Sequence, residues 1–199
     1  MGDRLAVLGI YGSPRKGGNT ELLIEEALRG AEAAGARVER VRLAEMRIIP
    51  CRECLSCYRD GNCVIADDMQ GLYKRLLEAD RIILASPIFF YGITAWAKAM
   101  VDRCQALWAR RYILKDETLN REGRRGLFIS VSGTKGKRSF EGAVLTVRYF
   151  FDAFGVAYAD DLLVRGIDAC GDILKEPEAL RRAFDAGKGL VAGGTDPKI

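Results

Sequence analysis

Short apolar runs alternate along this chain with stretches in which apolar residues return at helical spacing. Arg4 to Ile10 (Arg-Leu-Ala-Val-Leu-Gly-Ile) has no polar face, which predicts a parallel strand buried on both sides. From about Thr20 a helix follows: Leu23, Ala27, Ala31 and Ala34 share one face, and Gly35 ends the pattern. Arg37 to Leu43 alternates Val38 and Val41 with charged residues, as expected of a strand nearer the sheet edge. Asp67 and Asp68 can cap a helix running through Leu72, Leu76 and Leu77 to Ala79. Another apolar strand, Arg81 to Ser86, breaks at Pro87, and a long helix begins near Ala95. Arg110 to Arg125 is polar and reads as the end of that helix plus a surface connection. Gly126 to Val131 predicts a fourth strand, Phe140 to Phe154 a helix, Val156 to Val164 a fifth strand and Glu176 to Leu190 a closing helix.

Strands alternating with helices imply right-handed βαβ units and a parallel sheet covered on both faces. Five strands with a loop-borne site after the first fit an α/β, flavodoxin-like doubly wound sheet better than a six-strand dinucleotide fold. A length of 199 residues predicts one domain, 1–199, with a cysteine loop at 50–64 after the second strand and a frayed tail at 193–199.

The glycine-rich loop Gly12-Ser-Pro-Arg-Lys-Gly-Gly-Asn-Thr20 lies between the first strand and the first helix, where helix N–H groups and the dipole favour an anion. It is not a Walker A loop, which needs Lys and Ser/Thr at Gly18 and Asn19. Nor does it carry G-x-G-x-x-G, and the second strand ends in Arg42-Leu43 with no acid for a ribose. Ser13, Arg15, Asn19 and Thr20 suit a single phosphomonoester. The loop after the third strand, Ser86-Pro-Ile-Phe-Phe-Tyr-Gly92, faces the same crevice across the switch point and can lie against a planar ring.

Four cysteines fall within thirteen residues, Cys51, Cys54, Cys57 and Cys63, spaced C-x2-C-x2-C-x5-C. Four thiolates so spaced could serve one [4Fe–4S] cluster. The alternative is a reduced structural loop with no metal. A zinc ribbon wants longer separation, and a knuckle wants a His that this chain lacks. The missing His also removes Ser-His-Asp, Cys-His and most catalytic zinc chemistry. Six cysteines with no export signal point to a reducing cytoplasm, with Cys104 and Cys170 as buried small hydrophobes. A net charge of +4 is too mild to predict nucleic-acid binding, and no apolar run approaches the ~20 residues of a membrane span. Lys135, Lys137 and Arg138 could form a basic docking surface.

On the phosphate loop, the cysteine loop with Asp67-Asp68-Met69, and the Ser86 to Gly92 loop, the chain resembles the NADPH-dependent FMN reductase family, and within it the iron–sulfur flavoproteins. The resemblance implies an FMN-dependent oxidoreductase. Ser13, Arg15, Asn19 and Thr20 would hold the FMN phosphate, with Pro14 shaping the loop. Pro87, Ile88, Phe89, Phe90, Tyr91 and Gly92 would contact the ribityl chain and ring, and Ser132, Gly133 and Thr134 the ring's far side. Cys51, Cys54, Cys57 and Cys63 match cluster ligands. The implied partners are NAD(P)H or a ferredoxin-type donor, a small-molecule or protein acceptor, and further copies of the chain as dimer or tetramer, with the aromatic helix Ala95 to Trp108 a candidate contact. The alternatives are a non-catalytic flavodoxin-like electron carrier, although such carriers are usually acidic, and a clusterless NAD(P)H:flavin or quinone reductase.

Overall fold

The computed structural model describes residues 4–193. They form a five-stranded parallel sheet in the order β2-β1-β3-β4-β5, the flavodoxin-like order. The strands are β1 (Ala6–Tyr11), β2 (Arg37–Arg42), β3 (Arg81–Ala85), β4 (Arg125–Ser132) and β5 (Ala157–Arg165). Helices α1 (Asn19–Ala33), α2 (Cys57–Asp60), α3 (Met69–Glu78), α4 (Ala95–Arg103), α5 (Gln105–Trp108), α6 (Glu141–Asp152) and α7 (Pro177–Ala192) fill the connections. The patterned strand nearest the edge, β2, is an edge strand, because its alternating charges leave only Val41 buried. The expected frayed tail falls, apart from Gly193, outside the described residues.

Two hydrophobic layers sandwich the sheet. On one face Leu8, Ile10, Ile82, Leu84 and Phe128 meet α3, α4 and α6. On the other, Val7, Ile83, Leu127 and Ile129 meet α1 and α7. There α1 and α7 touch backbone to backbone: a Cβ on Gly30 would lie 2.0 Å from Phe184 O, and one on Gly187 1.8 Å from Ala27 O. That contact fixes the helix whose N-terminus forms part of the site.

The long helix expected from Ala95 is broken. It stops at Cys104, restarts as α5, and loosens into a π turn at Ala109–Ile113. Arg124, buried at the start of β4, donates to the carbonyls of Leu76, Ala79 and Phe154 and so ties off α3 and the end of α6.

Candidate functional site: a cleft over β1 and β3, and a cysteine loop

The loop after β1 is built by close backbone approach. Gly12 N donates to Ala85 O at 2.7 Å, and a Cβ on Gly12 would lie 2.9 Å from that same oxygen, so a side chain has no room there. Ser13 Oγ accepts from Arg15 N at 3.2 Å, and Gly17 takes a φ of 68°. The α1 N-cap is Gly18, with no side-chain cap, which leaves the first-turn N–H groups open to an anion. Glu21, in that first turn, accepts from Gly17 N at 3.1 Å and from Arg42 at 2.7 Å. The Arg42 hydrogen bond holds its carboxyl below the usual carboxylate range.

The loop after β3 is stitched to the first by buried hydroxyls. Thr94 Oγ1 donates to Gly12 O at 2.5 Å and accepts from Ala97 N at 3.3 Å, which caps α4. Thr94 N donates to Ser86 Oγ at 3.1 Å, and Ser130 Oγ donates to Ser86 O at 2.7 Å. One chain of contacts therefore joins β4, the β3 loop, α4 and the loop after β1. Neither Thr94 nor Ser130 stands out in the sequence; the local signal is a Thr one residue before a helix.

Phe89 and Gly92 exchange backbone hydrogen bonds of 2.9 and 3.0 Å around Phe90 and Tyr91, whose φ values are 48° and 63°. Two large L-residues in the left-handed region are unfavourable, and such strain gathers at ligand sites. Both rings are exposed, Phe90 fully.

Between these loops lies a cleft of about 110 Å³. It brings together Ser13, Pro14, Arg15, Asn19, Thr20, Pro87, Ile88, Phe89 and Gly133. Phe90, Tyr91, Gly92, Ser132 and Thr134 do not line it: Ser132 is buried with its carbonyl taken by Ile167 N, and Thr134 Oγ1 accepts from Gly136 N. Ile167, Asp168 and Cys170, from the segment after β5, complete the wall. The donor set fits a phosphomonoester: a hydroxyl, an exposed guanidinium and an uncapped helix start.

All six cysteines are free thiols. Cys51, Cys54, Cys57 and Cys63 all border one cavity of about 880 Å³, shared with Trp108, Tyr112 and Tyr149. Among the described residues no group of three or more Cys, Asp or Glu side chains is gathered closely enough to hold a metal ion. The donor chemistry of the four thiols suits a soft metal. Glu53 and Leu55, on either side of Cys54, have φ values of 52° and 56°. Hydrogen bonds from the Ser56 backbone and hydroxyl pull the Cys54 thiol below its ordinary value. Burial pushes Cys57 up, and the neighbouring Cys63, Cys51 and Cys54 add to the rise.

The base of this loop is clamped by a pair that sequence reading missed. Asp67 serves in part as the expected helix cap: its Oδ1 accepts from Met69 N at 3.1 Å. Its main partner is Arg103, at 2.6 and 3.1 Å, and Ile49 N donates to it at 2.8 Å. Arg103 also donates to Ile49 O and Ile65 O, and Gln70 to Cys63 O and Ile65 O. Burial works against the Asp67 carboxylate, but the Arg103, Ile49 and Met69 hydrogen bonds outweigh it and hold the carboxyl low.

Cys104 is buried, as expected, and burial raises its thiol pKa. Cys170 is not: it is exposed on the loop beyond β5, where its Sγ donates to Gly17 O at 3.5 Å. The chain leaves the sheet there, so no core surrounds it. Of the basic trio, Arg138 is paired with Glu141 at 2.8 Å, which leaves Lys135 and Lys137 to carry the surface charge. Among the described residues no helix is long and apolar enough to cross a membrane.

A model of the NADPH-dependent FMN reductase family matches residues 5–159. An iron-sulfur flavoprotein of Methanocaldococcus jannaschii is 43% identical over 103 residues, covering 52% of this chain and 53% of that protein. An iron-sulfur flavoprotein of Methanosarcina thermophila is 34% identical over 131 residues, 66% of this chain and 65% of that one. The chain thus spans about half the length of the first relative and under two thirds of the second. A solved NAD(P)H:quinone oxidoreductase from Methanothermobacter marburgensis superposes with a TM-score of 0.69 at 18% identity, over 94% of this chain and 98% of that one, and shares the fold.

Proposed function

The chain belongs to the NADPH-dependent FMN reductase family, and from that premise we propose that it is an FMN-dependent oxidoreductase. Electrons pass between NAD(P)H, or a ferredoxin-type donor, and a small-molecule or protein acceptor. The observation that carries this reading is the cleft itself, where an uncapped helix start with Ser13, Arg15 and Thr20 faces Pro87, Ile88 and Phe89 across the β1–β3 boundary. Ser13, Arg15, Thr20 and the first N–H groups of α1 would hold the phosphate of FMN, and the rim of the β3–α4 loop would support its ring. Bound FMN supplies the capacity to take up a hydride and to release electrons singly or in pairs.

The chain's own residues bind and orient. Thr94 and Ser86 fix the spacing of the two loops, so the phosphate and ring supports keep one separation. Arg15 places a permanent cation at the anion end. No protein acid or base is required, which agrees with a sequence that has no His.

For the cysteine loop, the finer reading is that Cys51, Cys54, Cys57 and Cys63 would hold a [4Fe–4S] cluster. It is supported by four free thiols bordering one cavity and by the naming of the relatives. The competing reading is a reductase without a cluster, in which the four thiols, all free here, form a reduced structural loop. Iron and sulfide per chain after anaerobic reconstitution, in parent and Cys54→Ser, separates the two. A second copy of the chain is proposed to meet the α4 face at the exposed Trp96, which sedimentation of Trp96→Glu tests. The oxidoreductase reading is tested by steady-state NAD(P)H oxidation with FMN-loaded protein and an added quinone: turnover is expected, and a flavin-loaded protein that never turns over would be a carrier.

A further inference from the structure

Asn19 stands in the phosphate loop, yet its side chain is engaged elsewhere. Its amide N–H donates to Ala169 O at 2.8 Å and its Oδ1 accepts from Ile173 N at 3.2 Å. Asn19 is 8% exposed and Ile173 fully buried, so both bonds are shielded from water. They join the start of α1 to a segment about 150 residues away in sequence. That segment is locally braced: Ile167 N donates to Ser132 O at 3.1 Å, and Ala169 N and Asp172 Oδ2 are 2.9 Å apart. Its Asp168 lines the cleft, packed against Gly133, where a Cβ would fall 2.8 Å from Asp168 Oδ1. Gly133 is therefore the residue that makes room for this carboxylate.

A carboxylate repels a phosphate but accepts well from hydroxyl groups, with short charge-assisted bonds. A ligand with an anionic end on Arg15 and a polyol beside it satisfies both sides of the cleft. We infer that Asn19 is a positioning residue that latches Ile167–Ile173 in place as a third wall of the cofactor cleft, with Asp168 accepting from the hydroxyls of the ligand's polyol chain. The inference rests on the FMN reading above for the ligand, and on the hydrogen bonds alone for the latch.

The test titrates FMN, riboflavin (no phosphate) and lumiflavin (neither phosphate nor polyol) by fluorescence quenching. Parent, Asn19→Ala, Asp168→Ala, Gly133→Ala and Arg15→Ala are compared. Loss of a charge-assisted contact should cost about tenfold in affinity. The Asn19 and Asp168 variants are expected to weaken FMN and riboflavin by the same factor and to leave lumiflavin unchanged, Gly133→Ala to weaken FMN and riboflavin alike, and Arg15→Ala to weaken FMN alone. If Asn19→Ala weakens FMN and spares riboflavin, Asn19 is a phosphate ligand and the inference is overturned. Hydrogen exchange without flavin tests the latch separately: the Ile173 amide should exchange faster in Asn19→Ala, and in Asn19→Asp, which keeps only the acceptor, by less. Unchanged exchange overturns the latch. A parent that binds no flavin defeats the cofactor reading and leaves the exchange result standing.

Discussion

Arg103 and Asp67 form an ion pair at 2.6 Å in which both side chains are wholly buried, and through it the two ends of the cysteine loop are tied together. Removing one partner of such a pair strands a buried charge, at a cost of roughly 3–5 kcal/mol. Arg103→Met is expected to lower stability by about that amount in urea unfolding and to speed proteolysis within 50–64 first. The Asp67 carboxyl is held below its ordinary value in the fold, so its contribution is complete above the unfolded carboxylate range near ~4 and is lost as pH falls through the lower native value. Asp67→Asn should therefore flatten the acid limb of the stability profile, and an unchanged limb would show that the pair does not govern it.

Thr94 predicts a second sensitivity. Thr94→Val keeps the volume but leaves Gly12 O without its donor and Ala97 N without its cap. A loss of ~1–3 kcal/mol in stability is expected, from an unsatisfied buried carbonyl. FMN affinity should fall too, since the spacing of the two loops depends on that hydroxyl; calorimetry on the variant measures both.

The Phe90–Tyr91 turn predicts the opposite trade. Asn-Gly is the pair best suited to two successive left-handed residues in a two-residue connection. Phe90→Asn with Tyr91→Gly is expected to raise the melting temperature, by the equivalent of about 1–2 kcal/mol, while weakening flavin binding through loss of the exposed rings. A variant with lower stability would mean that the rings pack in the fold.

The framework of this protein is legible in its sequence because burial is periodic. Leu23, Ala27 and Ala31 mark one face of α1 and all are buried. The apolar runs become β1, β3 and β4, with ends displaced by a residue or two where pairing decides: β1 starts at Ala6 and runs on to Tyr11, which pairs with Ala85. The glycine-rich loop between β1 and α1 is legible as a loop because its glycines and polar donors are adjacent in sequence. What escapes is long-range. Nothing near Asp67 announces Arg103, 36 residues on, beyond a charged residue on the buried face that also carries Met100. Nothing near Asn19 announces Ala169. The π turn at Ala109–Ile113 also has no local breaker such as Pro or Gly to signal it.

Thiol reactivity should sort the cysteines by environment. Cys54, exposed and lowered by Ser56, is expected to alkylate before Cys57 and at lower pH, whereas buried Cys104 should react only on unfolding. Peptide-resolved labelling across pH reads this out. Equal rates at Cys54 and Cys57 would mean that the Ser56 contacts do not persist in solution.

On the proposed function, the cleft at the start of α1 would hold a flavin by its phosphate. Titration of the parent protein with FMN and with riboflavin, at low and high salt, measures the contribution of the phosphate. One FMN per chain is expected, with affinity for riboflavin lower by tenfold or more as charge-assisted bonds of ~1.5–3 kcal/mol each are lost, and a gap that narrows with salt. Equal affinity for the two flavins, at either salt concentration, would contradict it.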